Sequence, residues 1–167
     1  MEKQTLDPAE IAGVFESCPF TTLRKASRVA TAVFDHATES LGLKSTQLAI
    51  LVSAALHGPT TIRSLAEETV MDPSSLSRAL PRLEDMGLIE KAVGQSKRSR
   101  VITVTDAGFA KIKEAVPIWQ SVQAQMLAAV GPQEHEVLLD LLRRAAAMEG
   151  YGAGKNGAKP NGSAGHA

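Results

Sequence analysis

Three hydroxyls and a guanidinium, on Ser74, Ser75, Ser77 and Arg78, follow directly on the pair Asp72-Pro73. Asp72 is suited to cap a helix and Pro73 to occupy its first position, where a missing N–H costs nothing. At 100° per residue the segment then gathers Leu76, Ala79, Leu80 and Leu83 on one stripe. Ser74, Ser77, Arg78 and Arg82 turn outward. Short hydroxyl side chains let a helix backbone come close to the surface it reads, and an Arg in that turn reaches a phosphate oxygen or the acceptor edge of guanine. The chemistry this pattern offers is recognition of a nucleic-acid major groove. Pro81, on the outward side, removes one helical hydrogen bond and crowds the Ser77 carbonyl, which predicts a bend and confines base reading to Ser74, Ser75, Ser77 and Arg78. Arg82 is then a phosphate contact.

Two β-rich segments follow, Leu88-Ile89-Glu90-Lys91-Ala92-Val93 and Arg100-Val101-Ile102-Thr103-Val104-Thr105, around a polar tip at residues 94–99. From Lys91 to Thr105 the hairpin holds Lys91, Lys97, Arg98 and Arg100 and no acid. A cationic tip of this kind suits a sugar-phosphate backbone or a minor groove. Lys97 is assigned to phosphate and Arg98 to phosphate or minor groove, with Lys91 at the solvated base.

Other reactive groups are few. Cys18 is the only cysteine, so no intrachain disulfide forms and no Cys-rich zinc site exists. It precedes Pro19 at a helix start, where exposed N–H groups, with Arg24 and Lys25 one turn on, favour a thiolate. Cys18 is therefore a redox candidate or an inert thiol. His36, His57, His135 and His166 show no two-ligand spacing on one helix, so no metal is expected. There is no nucleophile motif, Gly-rich phosphate loop or paired carboxylate in a cleft, so neither catalysis nor a cofactor is expected.

The elements that position these residues can be read from periodicity. With 44% apolar and 22% charged residues the 167-residue chain has an ordinary globular composition and enough length for one core. Net charge is zero, yet residues 1–20 hold Glu2, Asp7, Glu10 and Glu16 against Lys3 while the hairpin is purely cationic, so charge distribution outweighs the total. No run of apolar residues is long enough to span a membrane and no signal peptide begins the chain, which predicts a cytoplasmic protein.

A helix over about residues 21–41 carries Leu23, Ala26, Ala30, Val33, Phe34, Ala37 and Leu41 on one face, with Gly42 as its stop. Residues 46–57 are apolar nearly all round and predict a central buried helix ended by Gly58-Pro59. Thr61 caps a short helix with Ile62, Leu65 and Ala66. With the helix after Asp72 it makes a helix-turn-helix, and the basic hairpin makes its wing. After Gly108, a long helix marked by Phe109, Ile112, Val116, Trp119, Met126 and Val130 should kink at Pro117, and Gly131-Pro132 opens a last helix. Trp119 reads as core packing or as the wall of a pocket for an aromatic ligand. Beyond Gly150 the composition predicts a disordered tail.

In order and spacing, Leu65-Ala66, Ser75-Leu76-Ser77-Arg78 with Leu83-Glu84, Gly87-Leu88-Ile89 and Val104-Thr105-Asp106-Ala107-Gly108 resemble the MarR family of bacterial winged-helix repressors. The resemblance covers about residues 20–148. It implies an α+β, predominantly α fold in which residues 45–106 form the winged helix-turn-helix and residues 21–44 and 107–149 form dimerisation helices, with residues 1–20 an N-terminal segment and 150–167 a tail. It further implies a homodimer on a palindromic operator in double-stranded DNA, released by a small-molecule effector, an aromatic carboxylate or phenolic compound held by Arg24, Ser27 and Arg28. Family wings commonly carry an acid beside the tip Arg, and Ser96-Lys97-Arg98 lacks it. One branch senses peroxides through a cysteine assisted by tyrosines. Alignment through Ser27-Arg28 puts Phe20 at that cysteine's place, and the only tyrosine is Tyr151. A redox switch on Cys18 and a protein-interaction module whose wing binds an acidic protein are the alternatives.

Overall fold

A computed structural model describes residues 7–94 and 100–148. Seven helices and three short strands are present among them: α1 (Pro8–Glu16), α2 (Pro19–Ala37), a 3-10 turn (Glu39–Leu41), α3 (Ser45–His57), β1 (Thr60–Thr61), α4 (Ile62–Glu68), α5 (Pro73–Asp85), β2 (Ile89–Val93), β3 (Arg100–Val104), α6 (Asp106–Val130) and α7 (Pro132–Ala146). The expected mostly helical winged architecture is observed. Pro8, Pro19, Pro73 and Pro132 each open a helix, where their fixed φ and missing N–H fit. Pro81 and Pro117 lie inside α5 and α6, and both helices continue beyond them.

The strands form an antiparallel sheet in the order β1-β3-β2. Ile89 pairs with Val104 and Val93 with Arg100, while Thr60 and Thr61 pair with Ile102 and Val101 on the other edge of β3. Two tight stops frame the reading helix. After α4, Met71 N–H donates to Ala66 O (2.9 Å) and Val70 N–H to Glu67 O (3.2 Å). After α5, Leu88 N–H donates to Leu83 O (2.9 Å) and Gly87 N–H to Glu84 O (2.8 Å). Both are Schellman stops, which place the residue after the cap in the left-handed region. Gly87 sits there at φ +68°, the usual solution. Val70 sits there at φ +52°, a conformation that crowds a β-branched side chain.

The core lies within the middle of the chain. Leu48, Ile50, Leu51 and Ala54 of α3, Leu65 of α4, Leu76, Leu80 and Leu83 of α5, and Ile89, Ile102 and Val104 of the sheet pack into one cluster. Leu56, read as part of an all-round apolar helix, is instead 79% exposed at the end of α3. By contrast α1, α2 and α7 contain no buried residue. Helix α6 shows two apolar faces: Gly108, Ala115 and Val122, two turns apart, are buried, whereas Phe109 and Val116, a quarter turn away, are exposed.

Three local readings are amended. Residues 8–16, read only as part of an acidic segment, form a capped helix in which the Asp7 carboxylate accepts from Ala9 N–H. The helix read over 21–41 is α2 plus the 3-10 turn, broken where the buried Thr38 hydroxyl lies 2.9 Å from both Phe34 O and Leu43 O and shares its one hydrogen between them, with Gly42 closing the turn at φ +69°. Gly108, read as the boundary of the long helix, is within its first turn.

Candidate nucleic-acid interface and ligand cleft

The reading helix is built as its sequence requires. Asp72 caps α5, its carboxylate accepting from Ser75 N–H (2.8 Å) and from the Ser74 hydroxyl. The Ser74 and Ser75 hydroxyls, then the Ser75 N–H, hold the Asp72 carboxyl well below the usual carboxylate range. Ser74, Ser77, Arg78 and Arg82 are exposed and Ser75 is half-buried, while Leu76, Leu80 and Leu83 fix the opposite face in the core. Arg78 Nη2 donates to Ser75 Oγ (3.1 Å). That bond lays the guanidinium along the first turn, beside the hydroxyls that sequence reasoning grouped with it.

At the base of the wing, Lys91 Nζ meets Glu84 Oε2 at 2.6 Å, with Lys91 mostly shielded and Glu84 about half exposed. Glu84 and Lys91, the latter read as solvated, are thus joined, and Lys91 serves to anchor the wing on the end of α5. Arg100 pairs with Val93 as the first residue of β3 and is exposed. Lys97 and Arg98 at the tip, like Tyr151, His166 and the 150–167 tail, lie outside the described residues.

The wing is rooted on α6. Thr105 caps that helix, its hydroxyl accepting from Gly108 N–H (3.1 Å) and donating to Gly87 O (2.6 Å), and Thr105 N–H donates to Leu88 O (3.1 Å). A Cβ on Gly108 would overlap the Leu88 carbonyl oxygen and approach Val104 Cγ1 to 2.7 Å. Only glycine lets the first turn of α6 touch the start of the wing this closely.

Between α2, α3 and α6 lies a cleft of about 310 Å³. Its apolar walls are Ala30 and Phe34 of α2, Leu48 and Ala49 of α3, and Trp119 of α6, with the two rings edge to face at 5.9 Å and 76°. The polar lining consists of hydroxyls on Ser27, Thr31, Ser45 and Thr46. Of the residues assigned to an effector from sequence, the structure brings Ser27 and Trp119 to this cleft, but Arg24 and Arg28 are not among its lining. Behind it, the Asp35 carboxylate accepts from Ser45 N–H (2.7 Å) and the Ser45 hydroxyl (2.6 Å), joining α2 to the start of α3, with Lys44 Nζ 3.5 Å away. The Ser45 hydroxyl, then its N–H, lower the Asp35 pKa.

Cys18 is partly exposed at the N-cap of α2 and makes no capping hydrogen bond. Its pKa is nonetheless lowered, chiefly by the N–H and hydroxyl of Thr21 rather than by Arg24 and Lys25. Among the described residues no group of three or more His, Cys, Asp or Glu side chains could hold a metal ion, and no helix is long and apolar enough to cross a membrane.

Comparison with known proteins places this geometry. The crystal structure of the transcriptional regulator MosR of M. tuberculosis in complex with DNA superimposes with a TM-score of 0.67 at 30% identity, covering 80% of this chain and 99% of that one. Among curated proteins, the transcriptional regulator HosA of Escherichia coli is 28% identical over 126 residues, 75% of this chain and 92% of its own. The transcriptional repressor NicR of Pseudomonas putida is 26% identical over 123 residues, 73% and 78% of the two chains. The MarR family model matches residues 43–98, from the approach to α3 through α4 and α5 and into the wing, which are the elements that carry the Ser/Arg face and its basic hairpin. The chain belongs to the MarR family of DNA-binding transcriptional regulators.

Proposed function

We propose that this regulator is a cytoplasmic, homodimeric repressor that binds a palindromic operator and leaves it when a small aromatic molecule enters the cleft. Ser74, Ser75, Ser77 and Arg78 read base edges. Arg82, Arg100, Lys97 and Arg98 contact the backbone or the minor groove beside it. Two-fold related reading helices call for half-sites about one helical turn apart. The exposed apolar side chains of otherwise unburied helices support the dimer: Val14 and Phe15 on α1, Leu23 and Val33 on α2, Val137 and Leu141 on α7. NicR, similar over most of its length, is a repressor.

The observation that carries the effector reading is where the cleft lies. Its walls come from α2 and α6, assigned to the dimer, and from α3, which is core to the reading head, so an occupant sits where it can alter the angle between the two bodies. Fluorescence anisotropy of a labelled operator, with and without aromatic compounds, tests the proposal. Saturable release supports it. Release by no compound that demonstrably occupies the cleft refutes effector control, and a monomer in sedimentation at binding concentrations refutes the dimer.

A second trigger is favoured by one observation, the partly exposed and acidified Cys18 thiol. Under a redox trigger, mild peroxide frees the DNA from the wild-type protein and not from Cys18→Ser. We expect instead that both stay bound and that Cys18→Ser keeps ligand-induced release, because Thr21 supplies the acidification by local helix-start geometry and Cys18 is the chain's only cysteine.

A further inference from the structure

The lining of the cleft specifies the charge and hydrogen-bonding sense of its occupant, an inference that rests on the effector reading but goes beyond it. Among the described residues no Lys, Arg or His belongs to that lining, so a carboxylate or phosphate would lose hydration there without a cationic partner from them. Two of the four lining hydroxyls, those of Thr31 and Ser45, point the same way. A serine or threonine hydroxyl has one hydrogen to donate and two lone pairs to accept with. Thr31 donates its hydrogen to Ser27 O (2.8 Å), and Ser45 donates its own to Asp35 Oδ1 (2.6 Å). What these two present to the cleft is acceptor capacity. The Asp35 carboxylate stands one hydrogen bond behind Ser45, which makes that side of the cleft less hospitable still to an anion. Lys44 meets Asp35 Oδ2 and is not part of the lining. Trp119 and Phe34 add an aromatic edge-and-face surface suited to one flat ring.

We propose that the cleft binds an uncharged aromatic hydrogen-bond donor, an un-ionised phenol or its N–H equivalent, held by the Thr31 and Ser45 hydroxyl oxygens against the edge-to-face pair Phe34 and Trp119, and that it discriminates against aromatic carboxylates. The choice departs from the aromatic carboxylate allowed by sequence, because Arg24 and Arg28 do not line the cleft.

Trp119 is the only tryptophan in the chain, so intrinsic fluorescence of the full-length protein reports this cleft directly. Three probes separate the terms on wild-type protein: p-cresol, its methyl ether, which keeps the ring and lacks the donor, and benzoate at neutral pH. The expected result is saturable perturbation by p-cresol, about tenfold weaker binding of the ether, and benzoate weaker than both. Thr31→Val, which removes the acceptor while keeping the shape, should shrink the advantage of p-cresol over the ether severalfold and leave the ether's affinity unchanged. Benzoate binding as tightly as p-cresol overturns the proposal, as does equal affinity for p-cresol and its ether. A retained p-cresol advantage in a folded Thr31→Val protein removes Thr31 from the contact and overturns the assignment. Operator release is measured in the same samples. The expected fluorescence pattern without release supports the ligand chemistry while refuting the effector reading, so the two fail separately.

Discussion

Gly108→Ala sets two physical arguments against each other. In an ordinary helix interior, replacing Gly by Ala stabilises by about 0.5–1 kcal/mol, because Ala loses less backbone freedom on folding. At position 108 the new methyl overlaps the Leu88 carbonyl oxygen and lies 2.7 Å from Val104 Cγ1. The oxygen is backbone at the root of β2 and cannot rotate away, so the first turn of α6 must lift off the wing. That move stretches the bonds that Thr105 makes to Gly87 and Leu88. Overpacking of this kind costs about 1–3 kcal/mol, and with backbone on one side of the clash the upper half of that range applies. The net expectation is a loss of about 1–2.5 kcal/mol. For a chain of this size each kcal/mol moves the melting temperature by about 2–4 °C, so a fall of about 2–10 °C is expected. Melting must be followed at one protein concentration, since the proposed dimer would make the midpoint concentration-dependent. The same substitution at Gly13 of α1, where a Cβ meets nothing within 4 Å, is the control and should raise the midpoint. A Gly108→Ala protein that melts at or above the wild-type temperature would show that the start of α6 does not rest on the wing. Because that contact sets the wing's angle, operator affinity should fall in the folded variant too.

Val70→Gly should stabilise: relief of the left-handed strain, about 1–2 kcal/mol, outweighs the added chain entropy of about 0.5–1 kcal/mol by up to about 1.5 kcal/mol, for a rise in melting temperature of up to about 6 °C. A lower midpoint would contradict the strain. Arg78→Ala should weaken operator binding by about fivefold to a hundredfold per half-site and relax the preference at one base pair, read by anisotropy with wild-type and substituted operators. Unchanged affinity and preference would remove α5 from base reading. Asp35→Asn should flatten the acid side of the stability profile. The Asp35 pKa is depressed in the fold, so the unfolded chain takes up its proton at higher pH, and the stabilisation, complete above the ordinary carboxylate range, is lost as pH falls through the folded value. Melting between neutral pH and pH 3 checks this, and an unaltered acid slope would contradict the Asp35–Ser45 link.

What was legible in the sequence was local. Asp72-Pro73 and the Leu76, Leu80, Leu83 stripe foretold the cap, start and buried face of α5, and Thr61 foretold the cap of α4. The same signature stands at Asp7-Pro8, followed by Ile11, Val14 and Phe15 at helical spacing, so α1 is legible by the same rule that marks α5. The two-residue β1 is too short for a period and exists only because β3 offers an edge. Glu84 and Lys91 meet across a turn whose path spacing does not reveal. The cleft was half legible: the family resemblance pointed to Ser27, and the aromatic side chain of Trp119 pointed to a pocket wall. Phe34, Ser45 and Thr46 join them only once α2, α3 and α6 pack, and Arg24 and Arg28, both exposed, are not among the lining.

The size of the cleft's contacts limits how steeply this regulator can respond. A ligand shifts an equilibrium only by the difference between its affinities for the two states, whatever its total affinity. An occupant wedged between α2, α6 and α3 gains that difference from the few contacts that change when the head turns, namely the Thr31 and Ser45 oxygens and the edges of Phe34 and Trp119. Couplings of this kind amount to about 1–3 kcal/mol per site. One site would thus lower operator affinity by about 5- to 150-fold, short of the roughly 5.5 kcal/mol needed to drive a two-state equilibrium from 99% one way to 99% the other. Two clefts in the proposed symmetric dimer, acting together on one palindrome, would contribute about 2–6 kcal/mol and reach that range only at the upper end. Complete release therefore requires both sites to be filled, and the release curve should be sigmoidal in ligand while Trp119 titrates without cooperativity in the absence of DNA. A hyperbolic release curve coinciding with the Trp119 titration would mean that one bound molecule suffices, and that a larger rearrangement than a turn of the reading head separates the two states.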